Sequence, residues 1–141
     1  MIEKLRTYIA HLPEDTEKFA KELANLFQDG DIILLEGNLG TGKTFLVQKI
    51  CRHWLITDDV TSPTFAIMQH YQGDVIVNHF DFYRLKNETE LQNLGWKEIA
   101  YGSGITFIEW PQLIKDKLDR YYLIKIEFSD GLRHFELYKA E

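Results

Sequence analysis

Residues 37–44 read GNLGTGKT, a G-x-x-x-x-G-K-T run, and no other stretch restricts the fold of this chain as strongly. The pattern works only where a buried strand leads into it and a helix leads out. Both flanks are present. "DIILLEG" before it is a short apolar strand, and after Lys43 the residues Val47, Ile50, Cys51 and Trp54 fall at i, i+3, i+4 and i+7, one face of a helix. Glycines let successive backbone N–H groups from Asn38 through Leu39, Gly40, Thr41 and Gly42 to Lys43 and Thr44 turn inward around phosphate oxygens. Lys43 supplies a point charge for the β- and γ-phosphates. The Thr44 hydroxyl is placed for Mg²⁺, and the helix aims its positive end at the anion. The chain is therefore expected to bind a polyphosphate.

The rest of the chain alternates in the same way. A short strand is expected near Lys4 to Ala10. "LPEDTEKFAKELANLFQDG" reads as a helix with Phe19, Leu23, Leu26 and Phe27 on its core face, acids in its first turn and Gly30 at its stop. "TSPTFAIMQHY" and "DVIVNHFDFY" flank Gly73-Asp74 as a strand pair. "NETELQNLG" carries a capping-box variant from Asn87 to Glu90 and ends at Gly95. "ITFIEW" is a buried strand, and "YYLIKIEF-SDG-LRHFELY" is a hairpin around Asp130-Gly131. Strands interleaved with helices, closed by a hairpin, make an α/β fold on a mixed sheet.

Composition removes several function classes. The 141 residues suffice for one domain, and 45% hydrophobic content is that of a globular protein. No apolar run reaches the ~18 residues of a membrane span, and the start has no secretory pattern, so a cytoplasmic protein is expected. A lone cysteine, Cys51, excludes intramolecular disulfides and cysteine-based zinc sites. With 22 acidic against 16 basic residues the formal charge is −6, and no basic footprint for nucleic acid is visible. Any link to RNA is expected to run through a partner.

The stretch "HFDFYRL", residues 79–85, departs from the apolar run before it. Strand side chains alternate with period two, so His79, Asp81 and Tyr83 are expected to project together, with Phe80 and Phe82 opposite. Ligands in α/β sheets gather at the carboxyl ends of parallel strands. If Val75–Phe80 and Ile105–Ile108 run parallel to Ile32–Leu35, then Asp81 and Glu109 emerge beside the loop. One hydroxyl and one or two carboxylates suffice for Mg²⁺, which keeps waters and phosphate oxygens as its other ligands. His79 reads equally as a buried, hydrogen-bonded imidazole and as a catalytic or substrate-contacting one. Tyr83 is expected to orient or pack, and Arg84 to be structural on the Phe80/Phe82 side or, alternatively, to reach phosphate. Trp110 is either core or an aromatic shield over the site.

Four motifs, "LEGNLGTGKT", "TSPTF", "HFDFYRL" and "IEWP", occur in the order and spacing typical of the TsaE (YjeE) family. The chain thus resembles the small bacterial ATPases of tRNA threonylcarbamoyladenosine biosynthesis, from the helix at Glu14 to the closing hairpin. It differs mildly, with Thr41 where alanine is common and Phe82 where leucine is common. The resemblance implies a single three-layer P-loop NTPase-like domain over residues 1–141, with ATP and Mg²⁺ as ligands. It also implies a role beside the TsaB and TsaD proteins: hydrolysing ATP to permit repeated turnover of the transferase complex, without performing the transfer itself. By motif, Thr44 and Glu109 look like metal contacts, and Asp81 like a residue needed for hydrolysis. Ser62 and Thr64 lie in what resembles a nucleotide-sensing loop, and as plain sequence "TSPTF" is a turn into a strand. Similarity also places Asp15 and Leu132 near the adenine.

The catalytic set expected is Lys43, Asp81 and Glu109, with either acid orienting the attacking water. No clear arginine finger is visible, so hydrolysis is expected to be slow alone and faster in the complex. Two alternatives stay open: a small P-loop kinase, which needs an acceptor pocket and a basic lid, and a nucleotide-gated binding module in which hydrolysis is incidental.

Overall fold

The computed structural model describes residues 1–38, 40–60 and 67–141. Its strands are β1 (Ile2–Ala10), β2 (Ile32–Glu36), β3 (Met68–Gln72), β4 (Ile76–Asp81), β5 (Ile105–Glu109), β6 (Tyr121–Ser129) and β7 (Leu132–Ala140). The helices are α1 (Pro13–Leu26), α2 (Lys43–His53), α3 (Glu88–Gln92) and α4 (Trp96–Ala100), with 3₁₀ turns at Pro111–Leu113 and Lys115–Lys117. The strands form one sheet in the order β1-β7-β6-β2-β5-β4-β3. β6, β2, β5 and β4 are mutually parallel neighbours, and the β4–β3, β6–β7 and β7–β1 pairs are antiparallel.

Strand β2 shows why the sheet needs cover on both faces. Ile33 and Leu35 join Phe19 and Leu23 of α1 and Leu46, Val47 and Ile50 of α2 in one core. Ile32 and Leu34 face the other way, into a second core with Phe80, Leu91 of α3, Trp96 of α4, Ile114 and Leu118. Each such fully buried side chain contributes about 1.5–3 kcal/mol. The result is the expected three-layer α/β fold with a partly parallel mixed sheet and a C-terminal antiparallel hairpin. In that hairpin Asp130 and Gly131 both have positive φ, 55° and 76°, as a two-residue primed turn requires.

Several local expectations need correction. Helix α1 stops at Leu26, with Phe27 already in extended backbone, so Gly30 does not end the helix. Gly30 instead turns the chain at φ 92° toward β2, and Leu26 is 38% exposed rather than core. Asn87 caps α3 as read, Oδ1 accepting from the Glu90 amide at 3.0 Å, but the Glu90 carboxylate accepts from Lys86 N and so closes a wider box. Gly95 opens a further short helix, α4, that the sequence pattern does not announce. Strand β4 ends at Asp81, leaving Phe82 and Tyr83 beyond it.

Candidate active site

Three parallel strands end on one rim. Register pairs Leu35 of β2 with Glu109 of β5, and Glu109 with Asp81 of β4. The phosphate-loop motif follows β2, and its last two residues, Lys43 and Thr44, begin α2. Sequence-distant oxygens therefore meet: Thr44 Oγ1 donates to Glu109 Oε2 at 3.3 Å. Glu109 and Asp81 are both buried, at 2% and 9% exposure. With Lys43, Gly40, Gly42 and Trp110 they line a cleft of about 480 Å³.

The loop is held from inside and from outside. Lys43 Nζ donates to the Gly37 and Asn38 carbonyls at 2.5 and 3.1 Å and lies 4.3 Å from the centre of the Trp110 ring. Burial pushes the Lys43 pKa down, while the charges of Glu109 and Asp81 pull against that shift. Thr41 Oγ1 donates to Asn38 O at 2.9 Å, fastening the turn. From the far side, Arg133 of β7 donates through Nε to Thr41 O at 3.1 Å. Gly42 sits at φ 103°, which favours glycine, and a Cβ there would lie 2.9 Å from Arg133 Nε, so the arginine side chain would have to shift. Gly37 is needed for space alone: a Cβ would lie 2.7 Å from Ile126 O.

His79 is fully buried, and its Nε2 donates to Glu109 Oε2 at 2.6 Å. Its Nδ1 is buried and has no hydrogen-bond partner among the described residues. His79 and Asp81 share a strand face as expected, but Tyr83 does not. Asp81 Oδ1 accepts from the Tyr83 amide at 2.9 Å, a side-chain turn that ends the strand. Tyr83 is exposed and packs on Trp110, ring centroids 4.8 Å apart. Trp110 both lines the cleft and packs against the second core, from a left-handed backbone at φ 58° and ψ 62°. Arg84, expected on the Phe80/Phe82 side, is exposed and lines the cleft, because the strand has ended before it.

Asp15 and Leu132 line neither this cleft nor the polar hollow beside Gly37 and Asn38. The Asp15 carboxylate accepts from the His11 and Leu12 amides at 2.9 and 3.0 Å, and those bonds lower its pKa. Leu39, Ser62 and Thr64 lie outside the described residues. Arg133 was not singled out from sequence; it belongs to no motif, and only the hairpin register brings it to the loop.

The donors at the rim fit Mg²⁺. They are a hydroxyl and carboxylates, hard oxygens that suit a small hard cation. Among the described residues no cluster of three or more His, Cys, Asp or Glu forms a self-sufficient metal cage. No described helix is long and apolar enough to cross a membrane.

The family model for "Threonylcarbamoyl adenosine biosynthesis protein TsaE" matches residues 10–140. The chain is 40% identical over 107 residues to a Rickettsia felis protein named tRNA threonylcarbamoyladenosine biosynthesis protein TsaE, covering 74% of this chain and 62% of that one. A Bacillus subtilis protein of the same name is 39% identical over 107 residues, covering 75% and 66%. One from Treponema pallidum is 30% identical over 113 residues, covering 80% and 84%. The chain thus spans just under two thirds of the length of the first two. A crystal structure of Bacillus subtilis YdiB superposes with a TM-score of 0.84 at 29% identity, over all of this chain and 88% of that one.

Proposed function

The chain belongs to the TsaE family of tRNA threonylcarbamoyladenosine biosynthesis, and on that premise we propose that residues 1–141 form one P-loop domain that binds ATP with Mg²⁺ and hydrolyses it slowly. The hydrolysis supports repeated turnover of a transferase complex containing TsaB and TsaD. The site of action is the cytoplasm, and contact with tRNA is indirect, in keeping with the −6 charge of the chain.

The observation that carries this reading is the 3.3 Å contact between Thr44 Oγ1 and Glu109 Oε2. It puts the hydroxyl of the phosphate loop and the acid of a second strand within the span of one small ion. Binding begins with the loop amides and the N-terminus of α2 receiving the phosphates. Lys43 exchanges the Gly37 and Asn38 carbonyls for phosphate oxygens, so its charge is delivered from a preformed, buried position. Thr44 and Glu109 would hold Mg²⁺, which would supply charge neutralisation at the phosphates. Asp81 or Glu109 orients the attacking water in line with the γ-phosphate. Trp110 and Tyr83 cover the cleft and limit the entry of bulk water.

The test measures ATP hydrolysis by the purified protein, alone and with TsaB and TsaD, and tRNA modification reconstituted with and without it. Slow hydrolysis that accelerates in the complex is the expected outcome, with Thr44→Ala and Glu109→Gln both losing it. Equal and rapid turnover with and without the partners, or no ATP binding, defeats the proposal.

A further inference from the structure

We infer that His79 is a positioning residue that fixes the carboxylate of Glu109 in a metal-binding orientation, an inference that rests on the nucleotide–metal reading above and deepens it. Glu109 Oε2 is approached from two sides, by His79 Nε2 at 2.6 Å and by Thr44 Oγ1 at 3.3 Å. Oε1 takes no hydrogen bond among the described residues. The imidazole thus restrains one oxygen and leaves the other for a ligand. Outer partners of this kind set the orientation of a coordinating group.

The burial pattern argues that the Glu109 bond is what His79 is for. Its neighbours are mixed: Val77 and Asp81 on its own strand face, Phe107 across β5, and Gln69 across β3. The imidazole makes one short bond through Nε2, and its Nδ1 has no partner among the described residues. Among the described residues the Glu109 bond is the one hydrogen bond His79 makes through its side chain. With Glu109 pinned on the ion side, Asp81 is left as the acid that orients water, a division of labour that the sequence leaves open.

Two substitutions separate this role from a packing role. Glutamine places its amide nitrogen where His79 Nε2 lies and can restore the bond, whereas asparagine is too short to reach. Mn²⁺ binding to the ADP-loaded protein, followed by electron paramagnetic resonance, gives a readout independent of turnover. His79→Asn should weaken Mn²⁺ about 10–100-fold, the usual consequence of losing an outer-shell partner, while ADP affinity in EDTA stays within about twofold. His79→Gln should recover Mn²⁺ binding to within about threefold of wild type. Should His79→Asn fail to fold, His79→Leu provides the donor-free comparison in the same apolar slot. Unchanged Mn²⁺ binding in the donor-free variant, or a folded His79→Gln as defective as that variant, overturns the inference. Wild-type protein that binds no ADP in EDTA refutes the nucleotide reading itself, an outcome distinct from either of these.

Discussion

Replacing Gly42 by alanine tests how the phosphate loop is held. Two costs arise at once. At φ 103° an L-residue is strained, a penalty of about 1–2 kcal/mol. The new Cβ would also stand 2.9 Å from Arg133 Nε, which must move and so release the Thr41 carbonyl. A hydrogen bond from a charged donor is worth ~1.5–3 kcal/mol, and at this half-buried site about 1–2 kcal/mol is appropriate. The sum is about 2–4 kcal/mol, which for a chain of this size lowers Tm by about 6–12 °C. Urea titration and calorimetry of Gly42→Ala, Arg133→Ala and the double variant supply the measurement. Both single changes lose the same Arg133–Thr41 bond, so the double variant should fall short of additivity by about 1–2 kcal/mol. Strict additivity, or a loss below about 0.5 kcal/mol in Gly42→Ala, would refute the proposed grip of the hairpin on the loop.

Three further outcomes are expected. Backbone amides hold the Asp15 carboxyl below its usual range, so its capping contribution is present at neutral pH and disappears as pH falls through the folded-state value; Asp15→Ala should melt earlier than wild type at pH 7, with the gap closing in acid. Burial pushes the Cys51 thiol up to about 12, so a thiol reagent at pH 8 should leave the native protein unlabelled and react only as urea unfolds it. Trp54 and Trp96 are buried in the cores, whereas Trp110 lines the cleft; nucleotide should alter the intrinsic fluorescence of wild type and leave that of Trp110→Phe nearly unchanged.

The strand–loop–helix from Ile32 to His53 is legible in sequence because its determinants are local: an apolar run, fixed glycines and a helical period. The convergence of Asp81 and Glu109 follows from one further assumption, that their strands run parallel, and the register bears it out. What escapes is non-local or very short. The parallel pairing of Leu34 with Leu123 joins residues far apart in the chain and leaves no pattern in either strand. Helix α4, at five residues, is too short to display a period. Tyr83 and Arg84 were projected along a strand that a single hydrogen bond from the Tyr83 amide to Asp81 has already ended. His79 was equally readable in two ways because its partner, Glu109, lies on another strand. Arg133 acts on the loop through nothing more than hairpin register.

Trp110 holds its left-handed backbone without the freedom of glycine, at a cost of about 1–2 kcal/mol. Its indole offsets that strain by packing against the second core and against Tyr83. Glycine there would relax the turn and forfeit those contacts, so the wall of the cleft keeps its shape through a side chain that compensates for its own backbone.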